Sequence, residues 1–263
     1  MREIALHQVD AFASRAFEGN PAAVCILDAW LPDSLMQAIA AENNLAETAF
    51  AVGQGAAYGL RWFTPQVEVA LCGHATLATA HVLFNDLGVD AEELRFETQS
   101  GELRVSRAGE GRLRMDFPAV PNEPIPEPAG LAAALGASLL AVHRGRYLMC
   151  ELESAATVAR LAPDFGLLAK IPHNVMVTAA GEGPYDFVSR FFALPVGIAE
   201  DPVTGSAHCE LAPFWAKRLG KTRLAARQLS ARGGDVSCTL NGDRVELEGS
   251  AVTVLRGSLL LPD

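Results

Sequence analysis

Two short glycine loops in this chain each lead into an apolar stretch long enough to form a helix. The first loop is Cys72-Gly73-His74 and the second is Thr204-Gly205-Ser206. The two copies match from Cys72 to Gly88 at a constant offset of 132 residues, which is about half of the 263-residue chain. Because the first turn of a helix has unpaired N–H groups and a partial positive charge, each loop is a candidate site for an anion such as a carboxylate. Alternatively, the glycines only permit tight turns before helices.

One charged residue, Glu47, lies within the apolar run from Leu45 to Val52, which is predicted to be a strand. A charged carboxylate without a partner is costly in apolar surroundings, and such a group is suited to proton transfer near neutral pH. The alternative is a side chain on the solvent face of a half-exposed strand. The corresponding strand of the second half, Asn174 to Thr178, has no acidic residue.

Two further polar residues lie beside the glycine loops. The second loop is preceded by Glu200-Asp201, which the first loop lacks at Leu71-Cys72. Asp201 is either a polar group of the site or a turn former before Pro202. His74 is either a site residue or a buried histidine that caps its own helix.

Strand and helix patterns alternate through both halves, which favours an α+β fold with two similar α/β lobes. The predicted helices run from Pro32-Asp33 to Asn43-Asn44, from about Ala75 to Leu87, from Ala155 to Leu161, from Phe165 to Lys170 and from Ala207 to Leu219. Hairpin turns at Ala108 to Gly111 and at Asn241-Gly242 argue against an all-parallel sheet.

A proline-rich stretch at 119–128 is the predicted linker between the lobes, because closely spaced prolines cannot continue a helix or a central strand. The N-terminal lobe is predicted to span 1–118 and to be completed by the C-terminal tail 256–263. The C-terminal lobe is predicted to span 129–255. A ligand is expected between the two lobes.

Charge and composition narrow the classes of function. The formal net charge is −10 and the isoelectric point is about 5.1, with no cluster of Lys and Arg, so binding to nucleic acid or to an acidic membrane is not expected. The residues Met1 to Gln8 have no pattern of a secretory signal, and a cytoplasmic location is expected. The five cysteines are odd in number and widely spaced, which argues against a disulfide framework and a structural zinc site.

A series of short motifs covers nearly the whole chain: Gly19-Asn20-Pro21, Met36 to Phe50, Phe63-Thr64-Pro65 with Glu68, Cys72 to Thr76, and Glu200 to His208. In this order and combination they resemble the PhzF family of phenazine-biosynthesis-like proteins. That family is similar to diaminopimelate epimerase in fold, with two pseudo-symmetric lobes, each a curled mixed or antiparallel sheet around a central helix. The resemblance implies an active site in the cleft between the lobes.

The resemblance also implies a reaction and the residues that carry it. The protein is expected to be an isomerase that needs no cofactor or metal and that shifts a proton on a small carboxylic acid, as in the isomerisation of a dihydro-hydroxyanthranilate. Glu47 matches the catalytic acid/base, with Asp201 and His74 as catalytic partners. The residues expected to bind the substrate are Gly73, His74, Gly205, Ser206 and Asn20. A homodimer is the expected assembly.

A two-thiol racemase on the same fold is the nearest competing interpretation, since it needs one cysteine in each loop. Here Cys72 is matched by Thr204, whose hydroxyl is too weak an acid or base at neutral pH to replace a thiolate. Cys209 lies further along the second helix and is expected to be buried.

Metal binding, nucleotide binding and ligand binding without turnover have less support from the sequence. A metal site from Cys72, His74, His208 and Cys209 has no usual zinc spacing. Gly181-Glu182-Gly183 lacks the third glycine and the following helix of a dinucleotide-binding motif. A protein that kept the ligand-binding cleft and lost turnover is consistent with the same fold.

Overall fold

The computed structural model describes residues 2–261, so Met1 and the predicted tail residues Pro262 and Asp263 lie outside the described residues. The chain divides into two compact units. The first contains Met1–Asp116 and Glu248–Asp263, and the second contains Phe117–Leu247. The second unit therefore includes the proline-rich stretch 119–128, and the first includes 248–255.

The first unit is a mixed sheet that packs against a buried helix. Its strands are β1 (Arg2–Ala11), β2 (Asn20–Leu27), β3 (Glu47–Gln54), β4 (Ala57–Phe63), β5 (Glu68–Val69), β6 (Glu93–Thr98), β7 (Gly101–Arg107) and β8 (Leu113–Pro118), whose last two residues enter the second unit. The pairs β2–β3 and β4–β6 are parallel, and the pairs β1–β2, β3–β4, β4–β5, β6–β7 and β7–β8 are antiparallel. The prediction that the sheet is not all-parallel is confirmed.

Helix α1 (Asp33–Asn43) has the predicted bounds and ends at Asn44, which adopts a left-handed conformation. Helix α2 (Gly73–His81) is the central helix of the unit: all its residues from His74 to His81 are buried, and it packs on β1, β2 and β3. It continues as a π-helical turn, Val82–Asp86, where the sequence predicts one regular helix.

The second unit repeats this plan. Its strands are β9 (Glu123–Ile125), β10 (Ala141–Arg144), β11 (Leu148–Glu151), β12 (Val175–Ala180), β13 (Phe187–Ala193), β14 (Ile198–Asp201), β15 (Arg223–Gln228), β16 (Gly234–Asn241) and β17 (Arg244–Gly249), which runs on into the first unit. Its helices are α3 (Leu131–Leu135), α4 (Ala155–Arg160), α5 (Phe165–Leu168) and α6 (Gly205–Leu219), with a 3₁₀ turn at Leu194–Val196. The pairs β11–β12 and β13–β15 are parallel, as are β2–β3 and β4–β6 in the first unit.

The last strand, β18 (Ala251–Leu261), returns to the first unit. It pairs antiparallel with β1 along the whole of that strand, from Arg2 opposite Leu261 to Ala11 opposite Ala251. The hydroxyl of Thr253 donates to Asp86 at 2.8 Å, which joins β18 to the π-helical turn. The C-terminal residues are therefore part of the sheet in which the chain begins.

The two central helices begin at their loop glycines, two residues before the predicted starts. Cys72 and Thr204 are the last extended residues before α2 and α6. Among the described residues 2–261, neither of these two side chains makes a capping hydrogen bond to the first turn of its helix. In both helices a side chain bonds back to this residue: Thr76 Oγ1 donates to Cys72 O at 2.6 Å, and His208 Nδ1 lies 2.8 Å from Thr204 O. The duplication predicted from the sequence thus extends to individual hydrogen bonds.

Candidate active site

Four side chains of the first unit meet at the beginning of α2. His74 Nε2 lies 3.0 Å from Glu47 Oε2, and His74 Nδ1 lies 3.1 Å from Asn20 Nδ2 and 3.5 Å from Cys72 Sγ. The side chain of His74 is 6% exposed and that of Glu47 is 12% exposed. Three predicted site residues, far apart in the chain, therefore share one nearly buried position.

The parallel pairing of β2 and β3 explains this meeting. Asn20 is the first residue of β2 and Glu47 is the first of β3, and the register places Ala22 opposite Glu47. Both strands begin at the same edge, and α2 starts beside them. Gly19 precedes Asn20 with a φ of +66°, which favours glycine, and a side-chain carbon there would meet the backbone oxygen of Ala11.

Burial and neighbouring residues shift the pKa values of His74 and Cys72. Burial by itself lowers the pKa of His74, but the neighbouring Cys72 and the Glu47 carboxylate outweigh it, so the pKa is raised well above its usual value. The imidazolium is therefore favoured beside the Glu47 carboxylate. Burial is the main reason that the pKa of the Cys72 thiol is raised to about 11, and the charge of Glu47 is the second. This cysteine is therefore a neutral thiol near pH 7.

The second unit brings together a different set of polar groups. Asp201 ends β14, and its carboxylate accepts a hydrogen bond from the hydroxyl of Thr204. Gln228, at the end of β15, is fully buried and clamps this loop. Its amide oxygen accepts from Thr204 N at 2.9 Å, and its amide nitrogen donates to Asp201 O at 2.7 Å. The approach to α6 is therefore held by hydrogen bonds that do not use Gly205 or Ser206.

Ser206, the second residue of α6, has a partner that sequence analysis missed. Its hydroxyl lies 2.9 Å from the hydroxyl of Tyr147, and the Tyr147 ring packs edge-on against Phe191 at 4.9 Å. Ser206 lies 132 residues after His74, so the second residue of each central helix contacts a side chain at the first residue of a strand or immediately before it. In the first unit that side chain is Asn20, and in the second it is Tyr147.

Residues 9–257 match the family model described as phenazine biosynthesis-like protein, PhzC-PhzF. The chain belongs to the PhzF family. A relative from Pseudomonas aeruginosa, named an uncharacterized isomerase, is 53% identical over 259 residues, covering 98% of this chain and 100% of the relative. The crystal structure of a PhzF-family protein from Enterococcus faecalis has a TM-score of 0.96 and 47% identity, covering 99% of this chain and 100% of that one.

A more distant structure extends the likeness in fold alone. A predicted epimerase from Pseudomonas aeruginosa has a TM-score of 0.73 at 24% identity, covering 98% of this chain and 100% of that chain. The predicted α+β fold of the diaminopimelate-epimerase-like kind is therefore confirmed for this PhzF-family chain.

The internal repeat of this PhzF-family chain corrects one expectation. Glu200 and Asp201 were both expected to be specific to the second glycine loop. Glu200 does have a counterpart, because Glu68 lies 132 residues before it. Arg61 holds Glu68 through two bonds of 2.7 Å, and Arg190 holds Glu200 through bonds of 2.7 and 2.9 Å. Glu200 is thus one partner in a repeated structural ion pair, and the acid specific to the second loop is Asp201.

Two titratable residues on α6 have pKa values shifted by burial: His208, which the sequence offered as a metal ligand, and Glu210, which it did not single out. Burial raises the pKa of Glu210 to about 7; one carboxylate oxygen accepts from Tyr147 N at 3.2 Å. Burial lowers the pKa of His208 to about 4. Glu210 Oε2 and His208 Nε2 have no hydrogen-bond partner within residues 2–261. On a helical wheel Glu210 does not differ from an ordinary helix position, so no local signal could have identified it.

The thiol and metal interpretations can be compared with these positions. Cys209 is buried, and its Sγ lies 3.6 Å from Gly205 O, as expected of a structural cysteine. His208 bonds to the backbone of Thr204. Among the described residues, the cluster with metal-ligand spacing is Glu47, Cys72 and His74, whose ligand atoms lie within 4.8 Å of one another. His208 and Cys209 do not belong to it. Within residues 2–261, no helix has the length and apolar composition needed to cross a membrane.

Proposed function

We propose that this protein is a cofactor-independent isomerase that shifts a proton on a small carboxylic acid, with Glu47 as the acid/base. Isomerase is the activity for which its relatives from Pseudomonas aeruginosa are named. The proposal adds the reaction type, the residues and the class of substrate. Glu47 takes a proton from one carbon of the substrate and returns it to another, so the reaction needs no external oxidant or reductant.

The pairing of Glu47 with His74 carries this proposal. The imidazolium lies 3.0 Å from the Glu47 carboxylate and orients it in a position that is largely removed from solvent. Asn20, whose amide contacts the other ring nitrogen, holds the plane of the imidazolium when its amide oxygen is turned toward Nδ1–H. A base that is oriented and partly desolvated is suited to proton abstraction from carbon.

Carboxylate binding is assigned to the beginnings of α2 and α6. The first-turn N–H groups at Gly73 and His74, and at Gly205 and Ser206, have no capping side chain from Cys72 or Thr204 within residues 2–261. Such groups suit an anion. Asp201 and the Ser206 hydroxyl are proposed to contact the same substrate and to assist proton transfer.

Exchange of carbon-bound hydrogen in heavy water tests the proposal. The protein is incubated with a panel of small unsaturated and amino carboxylic acids, each paired with its amide, and incorporation of deuterium is followed by NMR. We expect exchange for a subset of the acids, none for the amides, and a loss of at least about 100-fold in Glu47→Gln. Glu42→Gln is the matched control, because Glu42 is exposed on α1 and its replacement removes the same charge.

Two outcomes would contradict the proposal. Exchange that persists in Glu47→Gln would assign the proton transfer to another residue. Tight binding of an acid with no exchange would favour a ligand-binding module without turnover on the same fold. A cytoplasmic homodimer is proposed as the working form, and light scattering together with cell fractionation tests it.

A further inference from the structure

Glu47, Cys72 and His74 of the first unit bring three different metal-ligand atoms close together. Cys72 supplies a sulfur, His74 an imidazole nitrogen and Glu47 a carboxylate oxygen, and all three ligand atoms lie within 4.8 Å of one another. Thiolate, imidazole and carboxylate together are a donor set that zinc accepts, whereas magnesium and calcium prefer oxygen ligands alone. The chemistry of the donors therefore selects a soft or borderline divalent cation.

The distances agree with this selection. In a tetrahedral zinc site, bond lengths of about 2.0–2.3 Å separate neighbouring donors by about 3.3–3.6 Å. Here Cys72 Sγ lies 4.0 Å from His74 Nε2, and His74 Nε2 lies 3.0 Å from Glu47 Oε2. Movements of the three side chains, the largest at Cys72, whose Sγ lies closer to His74 Nδ1 (3.5 Å) than to Nε2, would bring the donors to tetrahedral spacing. The ionised thiolate and carboxylate would together balance the two charges of the cation.

Asn20 completes the arrangement from outside the donor set. It contacts Nδ1 of His74 and leaves Nε2 directed toward Glu47. Rotation of the Asn20 amide presents its oxygen to an Nδ1–H, which is the second contact that zinc-binding histidines ordinarily make. Three protein ligands leave a fourth position for water or for a carboxylate ligand.

We infer that Glu47, Cys72 and His74 form an inhibitory site for Zn²⁺ or Cd²⁺, which competes with proton transfer by occupying the acid/base and its partner. The binding does not depend on the proposed function, but the inhibition rests on it. Binding releases the protons held by the thiol and the imidazole. In the second unit, the loop position that corresponds to Cys72 is Thr204, so the repeat does not provide a second site of this kind.

Cadmium titration of the full chain tests the binding directly. After removal of metal with a chelator, Cd²⁺ is added and the ultraviolet cadmium–thiolate charge-transfer band is followed. We expect saturation at one equivalent in the wild type and in Cys209→Ser, and loss of the band in Cys72→Ser. Glu47→Gln keeps the thiol and should weaken Zn²⁺ binding at least about tenfold in competition with a chromophoric chelator. Circular dichroism shows whether each variant is folded.

The results separate this inference from the proposed isomerase. A band that survives in Cys72→Ser, or a wild type without a saturable band, would overturn the metal site whatever the exchange assay shows. If no acid undergoes exchange but the band depends on Cys72, the metal site stands and the proposed function fails. If exchange occurs, saturating Zn²⁺ should abolish it in the wild type, and Cys72→Ser should require at least about tenfold more Zn²⁺ relative to its own activity. Equal sensitivity of the two proteins would overturn the inhibition.

Discussion

Replacing Glu210 by glutamine should change how the stability of the protein depends on pH. Glu210 is completely buried on α6, and burial raises the pKa of its carboxyl from an ordinary value of 4.5 to about 7. Below pH 4.5 the folded and unfolded states both hold the proton. Between these two values the unfolded chain loses the proton while the folded chain keeps it, so stability falls as the pH rises.

The size of this effect follows from the two pKa values. Each pKa unit corresponds to about 1.4 kcal/mol, so the carboxyl removes about 3 kcal/mol of stability between pH 4.5 and the region above pH 7. Glutamine does not titrate and avoids this loss. The free energy of unfolding of Glu210→Gln, minus that of the wild type, should therefore increase by about 3 kcal/mol across the same range.

His208 explains why the difference between the two proteins must be measured. Burial lowers the pKa of His208 from 6.5 to about 4, so its contribution to stability is lost as the pH falls through that range. This loss and that of Glu210 occur in overlapping pH ranges with opposite signs. In the wild type they largely cancel, and in Glu210→Gln the stability should fall steeply on acidification.

Urea denaturation at a series of pH values from 4 to 8 provides the measurement. Glu182→Gln is the control, because Glu182 is exposed in a loop of the same unit and its replacement makes the same chemical change. A difference between Glu210→Gln and the wild type that stays constant with pH would refute the reasoning, since it would mean that folding does not perturb the Glu210 carboxyl.

Three further predictions concern stability. His208→Asn should remove the acid-side loss of about 3 kcal/mol between pH 6.5 and 4, measured by the same urea titrations against the wild type. Gly19→Ala should lower the free energy of unfolding in urea by at least about 3 kcal/mol, because the new carbon meets backbone at a φ of +66°. Gly55→Ala, at a φ of +58° in open space, should lower it by about 1 kcal/mol. Equal costs would contradict the steric argument. Gln228→Leu should cost about 2–4 kcal/mol in thermal or urea unfolding, because it leaves the backbone N–H of Thr204 buried without its acceptor, and a change under 1 kcal/mol would contradict the clamp.

Local patterns were sufficient to predict the elements that carry the site. Helix α1 has its predicted bounds, and α2 and α6 were found within two residues of their predicted starts, because helical periodicity and stopping glycines act over a few residues. The short strands β5, β9, β10, β11 and β14 were not predicted as separate elements. Each has four residues or fewer and exists because a neighbouring strand pairs with it, which no short window of sequence contains.

The site shows the same division between local and long-range information. Glu47 is conspicuous as the single charge in an apolar run, so its neighbours in the chain were enough to make it a candidate. Its ion pair with His74 depends on the register of β2 and β3 and on the position of α2 beside them. In the sequence Glu47 is a charge without a partner, and the fold supplies one.

The sequence by itself determined that the chain is a duplication, that each half has a glycine loop before an apolar helix, and that the halves differ at Glu47 and Asp201. These are properties of residue type and spacing. Only the tertiary structure decided that Glu200 belongs to a repeated ion pair, that Gln228 holds the second loop, and that Glu210 is buried with a raised pKa. Burial and pairing depend on residues that are distant in the chain, and the free energy of a charge depends on that three-dimensional environment.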